Sequence, residues 1–288
     1  MRVGFVTQLL WSRYGRFWVS LFNGIEAEPQ FANIEQVTET VQDERLVQIP
    51  GLSFRLAAAQ ALALQGCDVI VAPELNPGET PARGGGQDPW IASFPDALAS
   101  TLSGLPPIVS VPTTLQMDLQ TELQPLVLER LLPLSRDPAL VRRVWERTKG
   151  SVKPPRYPSP RWTRTPSETT TVGLLGQPWL LTDKLVETLK TEETHLVSQH
   201  QLEPEMLRAE GWRLESRLSA TDAEVLGAAR YLGRRGSVER LRLLVDKTSG
   251  SDAWLQTQVK RLVHKPLTVS YLQDVLSEEA LSTLFVAP

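Results

Sequence analysis

Four short runs set the fold class of this chain: 68–72 (DVIVA), 107–112 (PIVSVP), 241–246 (LRLLVD) and 266–271 (PLTVSY). Each is dense in apolar and β-branched residues and lacks the apolar–polar alternation of a sheet with one wet face. Strands of that kind are buried on both faces, which calls for a parallel sheet with helices packed above and below it. Runs 3–6 and 172–175 open the two halves of the chain in the same way, and 194–198 reads as a further strand. Helical patterns recur between these runs. Tyr14, Phe17, Trp18, Leu21 and Phe22 fall at helical spacing within 11–22, and 54–64 (FRLAAAQALAL) is rich in Ala and Leu. Gly66 follows the second of these as its expected C-cap. Segments 93–102, 115–134, 138–147, 183–189 and 223–232 also read as helices. The alternation predicts an α/β protein of two Rossmann-like lobes, their mostly parallel sheets flanked by helices, with a cleft between them.

Residues 149–166 break the pattern. Pro154, Pro155, Pro158, Pro160 and Pro166 stand there among Lys153, Arg156, Arg161 and Arg164. Such a stretch forms neither a regular helix nor a central strand. It divides the chain into an N-terminal lobe over 1–148, a Pro-rich basic linker over 149–170 and a C-terminal lobe over 171–288. A length of 288 residues suits two such lobes, at roughly 150 residues per domain. The net charge of −3 gives no overall field toward nucleic acid or an anionic membrane, so any such binding needs a local patch. Cys67 is the one cysteine, which excludes a disulfide within the chain and any all-cysteine metal site. Its place before an apolar run predicts a buried structural thiol. Arg13 and Arg16 interrupt the first apolar stretch, and no run approaches the ~20 apolar residues of a membrane span. A cytoplasmic protein without membrane contact is the expectation.

Five motifs carry a likeness to a known family. They are the opening RVGF with the aromatic helix after it, LSFRLAAAQALALQGCDVIVAPEL, DPWIASFPDAL, GLLGQPWLLTD, and Ser249-Gly250-Ser251-Asp252. Together they resemble the 2-hydroxyacyl-CoA dehydratase D-component family and the related proteins that accompany CoA-enzyme activases. The resemblance implies two similar α/β halves and, in the family, cysteines that hold an iron–sulfur cluster between them. At the matching positions this chain has Ser53 before Phe54, Asp88 before Pro89, and Ser249 before Gly250. Cluster iron needs soft thiolates, and serine and aspartate are hard oxygen donors. Without a cluster there is no route for the single electron of radical dehydration, so neither a cofactor nor a metal is expected.

The resemblance therefore points to a cluster-free and non-catalytic relative that binds a partner protein or small ligand in its interdomain cleft. An ATP-dependent activase-like protein is one such partner. In open parallel sheets, ligands sit beyond the carboxyl ends of the strands. That rule places 74–96, 176–179 and 249–254 around the cleft, with Ser53, Asp88, Gly176, Trp179, Ser249 and Asp252 as the candidate site. Asp88 and Asp252 come from separate loops and define no cation site by themselves. His195, His200 and His264 stand beside no nucleophile elbow, which leaves binding favoured over catalysis.

Two further function classes stay open. One is nucleic-acid binding by the linker, where Lys153, Arg156, Arg161 and Arg164 could neutralise phosphates and Trp162 could stack on a base. Arg142, Arg143, Arg147, Lys149, Trp145 and Tyr157 extend that basic and aromatic stretch. A solvated connector whose aromatics pack on the lobes is its plain structural counterpart. The other class is an enzyme with repurposed cleft chemistry on an acyl-CoA or other small substrate. The missing thiolates make the first prediction: protein prepared without oxygen should contain neither stoichiometric iron nor acid-labile sulfide, and brown protein carrying both would contradict it.

Overall fold

The computed structural model describes residues 1–76, 87–152, 169–276 and 284–286. The first lobe runs β1 (Arg2–Phe5), α1 (Trp11–Gly24), β2 (Glu28–Phe31), α2 (Ile34–Thr40), α3 (Leu52–Ala63) and β3 (Val69–Glu74). It continues with α4 (Pro89–Ala92), α5 (Phe94–Thr101), β4 (Ile108–Pro112), α6 (Gln124–Leu131) and α7 (Pro138–Thr148). The second lobe runs β5 (Thr170–Leu175), α8 (Asp183–Thr188), β6 (Thr194–Ser198), α9 (Pro204–Trp212) and α10 (Ala220–Arg234). After these come β7 (Arg240–Val245), α11 (Gly250–Leu262), β8 (Leu267–Tyr271) and α12 (Leu272–Val275). The strand orders are β2-β1-β3-β4 and β6-β5-β7-β8, and every pairing is parallel. The two lobes are therefore both Rossmann-like. In each, strand order reverses beside the central first strand, which opens a crevice at the carboxyl ends of β1 and β3 and of β5 and β7.

Side-chain alternation along the second sheet decides how the lobes meet. Val172, Leu174, Leu196 and Leu244 join the core of the first lobe. Leu175, Val197, Leu241, Leu243 and Val245 point the other way, into a separate core with α9, α10 and α11. One face of the second sheet thus shares its hydrophobic core with the whole first lobe. That first core is built on aromatic packing around β1: Phe5 lies edge-on to Phe22 at 5.4 Å and stacks on Phe31 at 5.6 Å. Leu284 and Phe285, near the far end of the chain, are buried in the same core. The Thr7 hydroxyl fixes that segment by donating to the Val286 carbonyl at 2.6 Å.

Several local expectations need correction. Gly66 is not a left-handed cap, since α3 ends at Ala63 and its cap residue, Leu64, has φ −98°. The Gly66 carbonyl instead accepts from Arg2 Nη2 at 2.6 Å. Residues 115–134 do not make one helix. Asp118 caps a five-residue π-turn, Leu119–Leu123, by accepting from the Gln120 and Thr121 amides at 3.0 and 2.7 Å. Pro125 enters the first turn of α6, and Pro133, with no N–H to give, closes it as a short 3-10 turn. Cys67 is partly buried rather than buried; burial nevertheless pushes its thiol up, against nucleophilic use. No helix among the described residues is long and apolar enough to cross a membrane.

The tightest packing in the second lobe is between α9 and α10, and two glycines permit it. A Cβ on Gly227 would fall inside the Leu207 carbonyl, and one on Gly211 inside the Ala223 carbonyl. Backbone cannot rotate away as a side chain can, so Gly227→Ala must push the helices apart. Urea unfolding should show a loss of about 1–3 kcal/mol, beyond any gain in helix propensity. An unchanged or raised midpoint would contradict this packing.

Candidate functional site at the lobe seam

The seam between the lobes is fastened by polar groups at the ends of parallel strands. Asp246 follows β7 and is 3% exposed. Its Oδ2 accepts from the Leu52 amide at the start of α3, in the other lobe, at 2.6 Å. Its Oδ1 accepts from the Thr248 amide at 2.9 Å, the Thr248 hydroxyl at 2.6 Å and Gln273 Nε2 at 2.5 Å. A second cross-lobe bond runs from the Ala220 amide, at the head of α10, to Asn76 Oδ1 at 3.0 Å. A third link is aromatic, with the ring of Phe54 5.3 Å from that of Trp179.

Ser53, Ser249 and Asp252 lie in this fastening. Ser53 is the second residue of α3 and is 2% exposed. Gly51 before it has φ +79°, and a Cβ there would stand 3.8 Å from both Asp246 Oδ2 and Ser249 Cβ. The segment carrying Ser53 and the segment carrying Ser249 are therefore in direct contact. The Ser249 hydroxyl lies 2.8 Å from that of Ser251 and donates to Asp252 Oδ1 at 3.3 Å, while Asp252 Oδ2 accepts from the Asp246 amide at 2.7 Å. Asp88 is not part of this fastening and stands at the start of α4 in the first lobe. It caps α4 by accepting from the Trp90 amide at 2.9 Å, and burial pushes its carboxyl up. Its link to the others is the aromatic layer, in which Trp90 is 6.2 Å from Phe54. Trp179 is the far side of that layer. Gly176 lies at the end of β5, where its amide donates to Gln199 Oε1 at 3.4 Å and a Cβ would crowd the Leu244 carbonyl at 3.1 Å.

These residues do not fit an iron–sulfur cluster. Their side-chain donors are oxygen, Ser249 and Asp252 are hydrogen-bonded to each other, and Ser53, Ser249 and Asp252 are buried. Among the described residues, no group of three or more His, Cys, Asp or Glu side chains is placed to hold a metal ion. What the packing does produce is an acid with altered proton affinity. Burial, with Asp246 and Asp222 nearby, pushes the Asp252 carboxyl up to about 7 even though the Asp246 amide bonds to it.

The open space of the seam lies elsewhere. A cavity of about 560 Å³ is walled by the loop after β4 on one side and the first turn of α9 on the other, with Arg13 of α1 between them. It sits at the carboxyl end of β4 and just past β6, where this fold leaves room for a ligand. Behind it is Glu224 of α10, 1% exposed. Arg13 holds that carboxylate with two bonds across the seam, at 2.8 and 2.7 Å, and Arg208 of α9 approaches it at 3.5 Å. Burial alone would raise the Glu224 carboxyl; Arg13 first and then Arg208 hold it below its ordinary range. Sequence reading missed Arg13, Arg208, Glu224 and Asp246. Asp246 had a visible signal, as an acid closing an apolar parallel strand, and Glu224 another, as one of two acids, with Asp222, in an Ala/Gly/Leu-rich helix.

A smaller cavity of about 280 Å³ borders His200, Asp183 and Trp179. His200 Nδ1 is 2.7 Å from the Ser198 hydroxyl and its Nε2 is 2.9 Å from Asp183 Oδ1. The residue types are those of an acyl-transfer triad, but the arrangement fails as one. Ser198 is wholly buried, whereas the Asp183 side chain is 96% exposed, so the hydroxyl that would attack is the group no substrate reaches. His264 is exposed. Lys153, Arg156, Arg161, Trp162 and Arg164 lie outside the described residues. Of the aromatic residues near them, Trp145 is 2% exposed and packs in the first-lobe core, where it cannot stack on a base.

No family model, curated protein or solved structure matches this chain.

The raised Asp252 carboxyl gives a stability prediction with a definite sign. The folded state holds this proton more tightly than the unfolded chain does. Its contribution is full below the ordinary carboxylate range, near pH ~4, and is lost as pH rises toward about 7. Asp252→Asn imitates the protonated acid and removes that loss. Relative to wild type, the variant should gain about 1–3 kcal/mol in unfolding free energy between pH 4 and pH 8. Parallel pH profiles for the two proteins would show that Asp252 is ionised in the fold.

Proposed function

We propose that this protein is a cluster-free, non-catalytic relative of the 2-hydroxyacyl-CoA dehydratase D-components that binds a small ligand in the cavity between its lobes. The observation that carries the reading is the contrast along the seam. Of Ser53, Ser249 and Asp252, where the resemblance puts the family's cluster, Ser53 is buried and the other two are buried and hydrogen-bonded. The 560 Å³ cavity beside Arg13 and Arg208 stays open at the strand ends. That volume lies within the ~300–1,000 Å³ of small-molecule sites. Its walls mix apolar side chains with a few charged ones, as such sites do. Catalysis has less support, because Ser198 beside His200 is inaccessible. Binding in the cavity also needs no cofactor.

Methionine provides the test. The chain has three, of which Met117 lines the cavity and Met1 is exposed at its start. With 13C-methyl methionine, a low-molecular-weight fraction of cell extract should shift the Met117 signal and leave Met1 in place. A Met117 signal unmoved by any fraction would overturn the reading.

A further inference from the structure

Among the described residues, two buried polar atoms at the edge of the seam cavity have no hydrogen-bond partner. One is Nε of Arg208, a donor, on a residue only 7% exposed. The other is Oε2 of Glu205, an acceptor, one turn earlier on α9. Both residues line the cavity. The two side chains form an ion pair, with Arg208 Nη1 3.6 Å from Glu205 Oε1, but that distance is beyond a hydrogen bond and involves neither Nε nor Oε2. Nor does Arg208 bond firmly to Glu224, which it approaches only at 3.5 Å while Arg13 takes that carboxylate at 2.7 and 2.8 Å. A buried donor or acceptor left without a hydrogen bond loses its hydration and gains nothing in return. The two atoms are of opposite kind and belong to neighbouring side chains that line one cavity, which suits a ligand that presents an acceptor beside a donor.

Charge narrows the class. Among the described residues, the cavity wall carries two arginines, Arg13 and Arg208, against the three carboxylates Asp118, Glu122 and Glu205. A phosphate or dicarboxylate would meet excess negative charge, and a simple cation would meet the guanidinium edge. A molecule with both signs and no net charge avoids both penalties. Leu115, Met117 and Val152 supply an apolar wall in the same cavity. We propose that the cavity takes a small zwitterion of the α-amino-acid type, with its carboxylate on Arg208, its ammonium on Glu205 and an apolar side chain toward Leu115, Met117 and Val152. The assignment rests on the ligand-binding reading above and specifies its ligand class.

L-leucine and its two half-analogues separate the possibilities. Leucinamide keeps the ammonium without the carboxylate, and 4-methylpentanoate keeps the carboxylate without the ammonium. Titrated into 13C-methyl-methionine protein at neutral pH, leucine should shift Met117 saturably, and each half-analogue should bind at least about tenfold more weakly. Glu205→Gln should remove the preference for leucine over 4-methylpentanoate. Arg208→Met should remove the preference for leucine over leucinamide. A folded Glu205→Gln spectrum keeps the test valid if Arg208→Met fails to fold. Equal binding of leucine and either half-analogue would overturn the assignment, as would silence from all three while an extract fraction still moves Met117; in that second case the cavity binds something else. Silence from extract and probes alike would overturn the ligand-binding reading itself. It would also indicate that Arg208 and Glu205 close on each other in solution.

Discussion

Glu224 is a carboxylate with almost no contact with water, and such a group is tolerated only where a countercharge and hydrogen bonds replace its hydration. Here the countercharge comes from the other lobe. Arg13 stands on the first helix of the chain and reaches 211 residues ahead to bind Glu224 with both terminal nitrogens. The geometry of this pair fixes where α1 lies against α10. With the Asp246–Leu52 and Asn76–Ala220 bonds it sets the register between the two sheets. Apolar packing supplies the adhesion, since one face of the second sheet shares the first lobe's core. It is non-directional, however, and the buried polar bonds select one docking among those the apolar faces would allow.

The seam has one closed end and one open end, and the difference follows from side-chain size and loop length. Around Ser53 and Ser249 the contacting residues are small, Gly51 lets the backbone turn at φ +79°, and the segments approach until the Leu52 amide bonds to the Asp246 carboxylate. Near Arg13 the wall is the long connection after β4, which is held in its own shape by the Asp118 cap rather than by the opposite lobe. The Arg13–Glu224 pair closes the seam behind this space, and the first turn of α9 forms its opposite wall. α9 is itself positioned by the glycine contacts with α10. The charges at the cavity are thus carried by rigid elements.

Much of the architecture was legible in the sequence, for physical reasons. The runs at β3 and β7 are apolar because helices or the neighbouring lobe cover them, and that burial leaves a compositional mark. β4 and β8 are as apolar in sequence but stand at sheet edges and are only partly buried, against the expectation of burial on both faces. β2, with the sequence EPQF, left none: it is an edge strand with partial burial, and its proline occupies a position an edge tolerates. The helix expected over 115–134 failed because apolar spacing continued through Pro125 and Pro133 while the backbone could not. Ser53 and Ser249 could be placed together by motif, but their burial could not, since it depends on what the other lobe brings to the same place. The Arg13–Glu224 pair was invisible for the same reason. Two charges far apart in the chain carry no periodicity that marks them as partners.

The account depends on Arg13 and Glu224 acting as one unit across the seam, and a double-mutant cycle measures that directly. Unfolding free energies of Arg13→Met, Glu224→Gln and the double variant would be compared with wild type in denaturant at pH 7. Each single change should cost several kcal/mol, on the order of 3–5 for a broken buried pair, because it strands a charge or its partner. The double variant should then be more stable than the sum of the two losses implies, by a coupling of about 1–3 kcal/mol. Losses that simply add would mean that the two side chains act independently, and the seam would not be held by this pair.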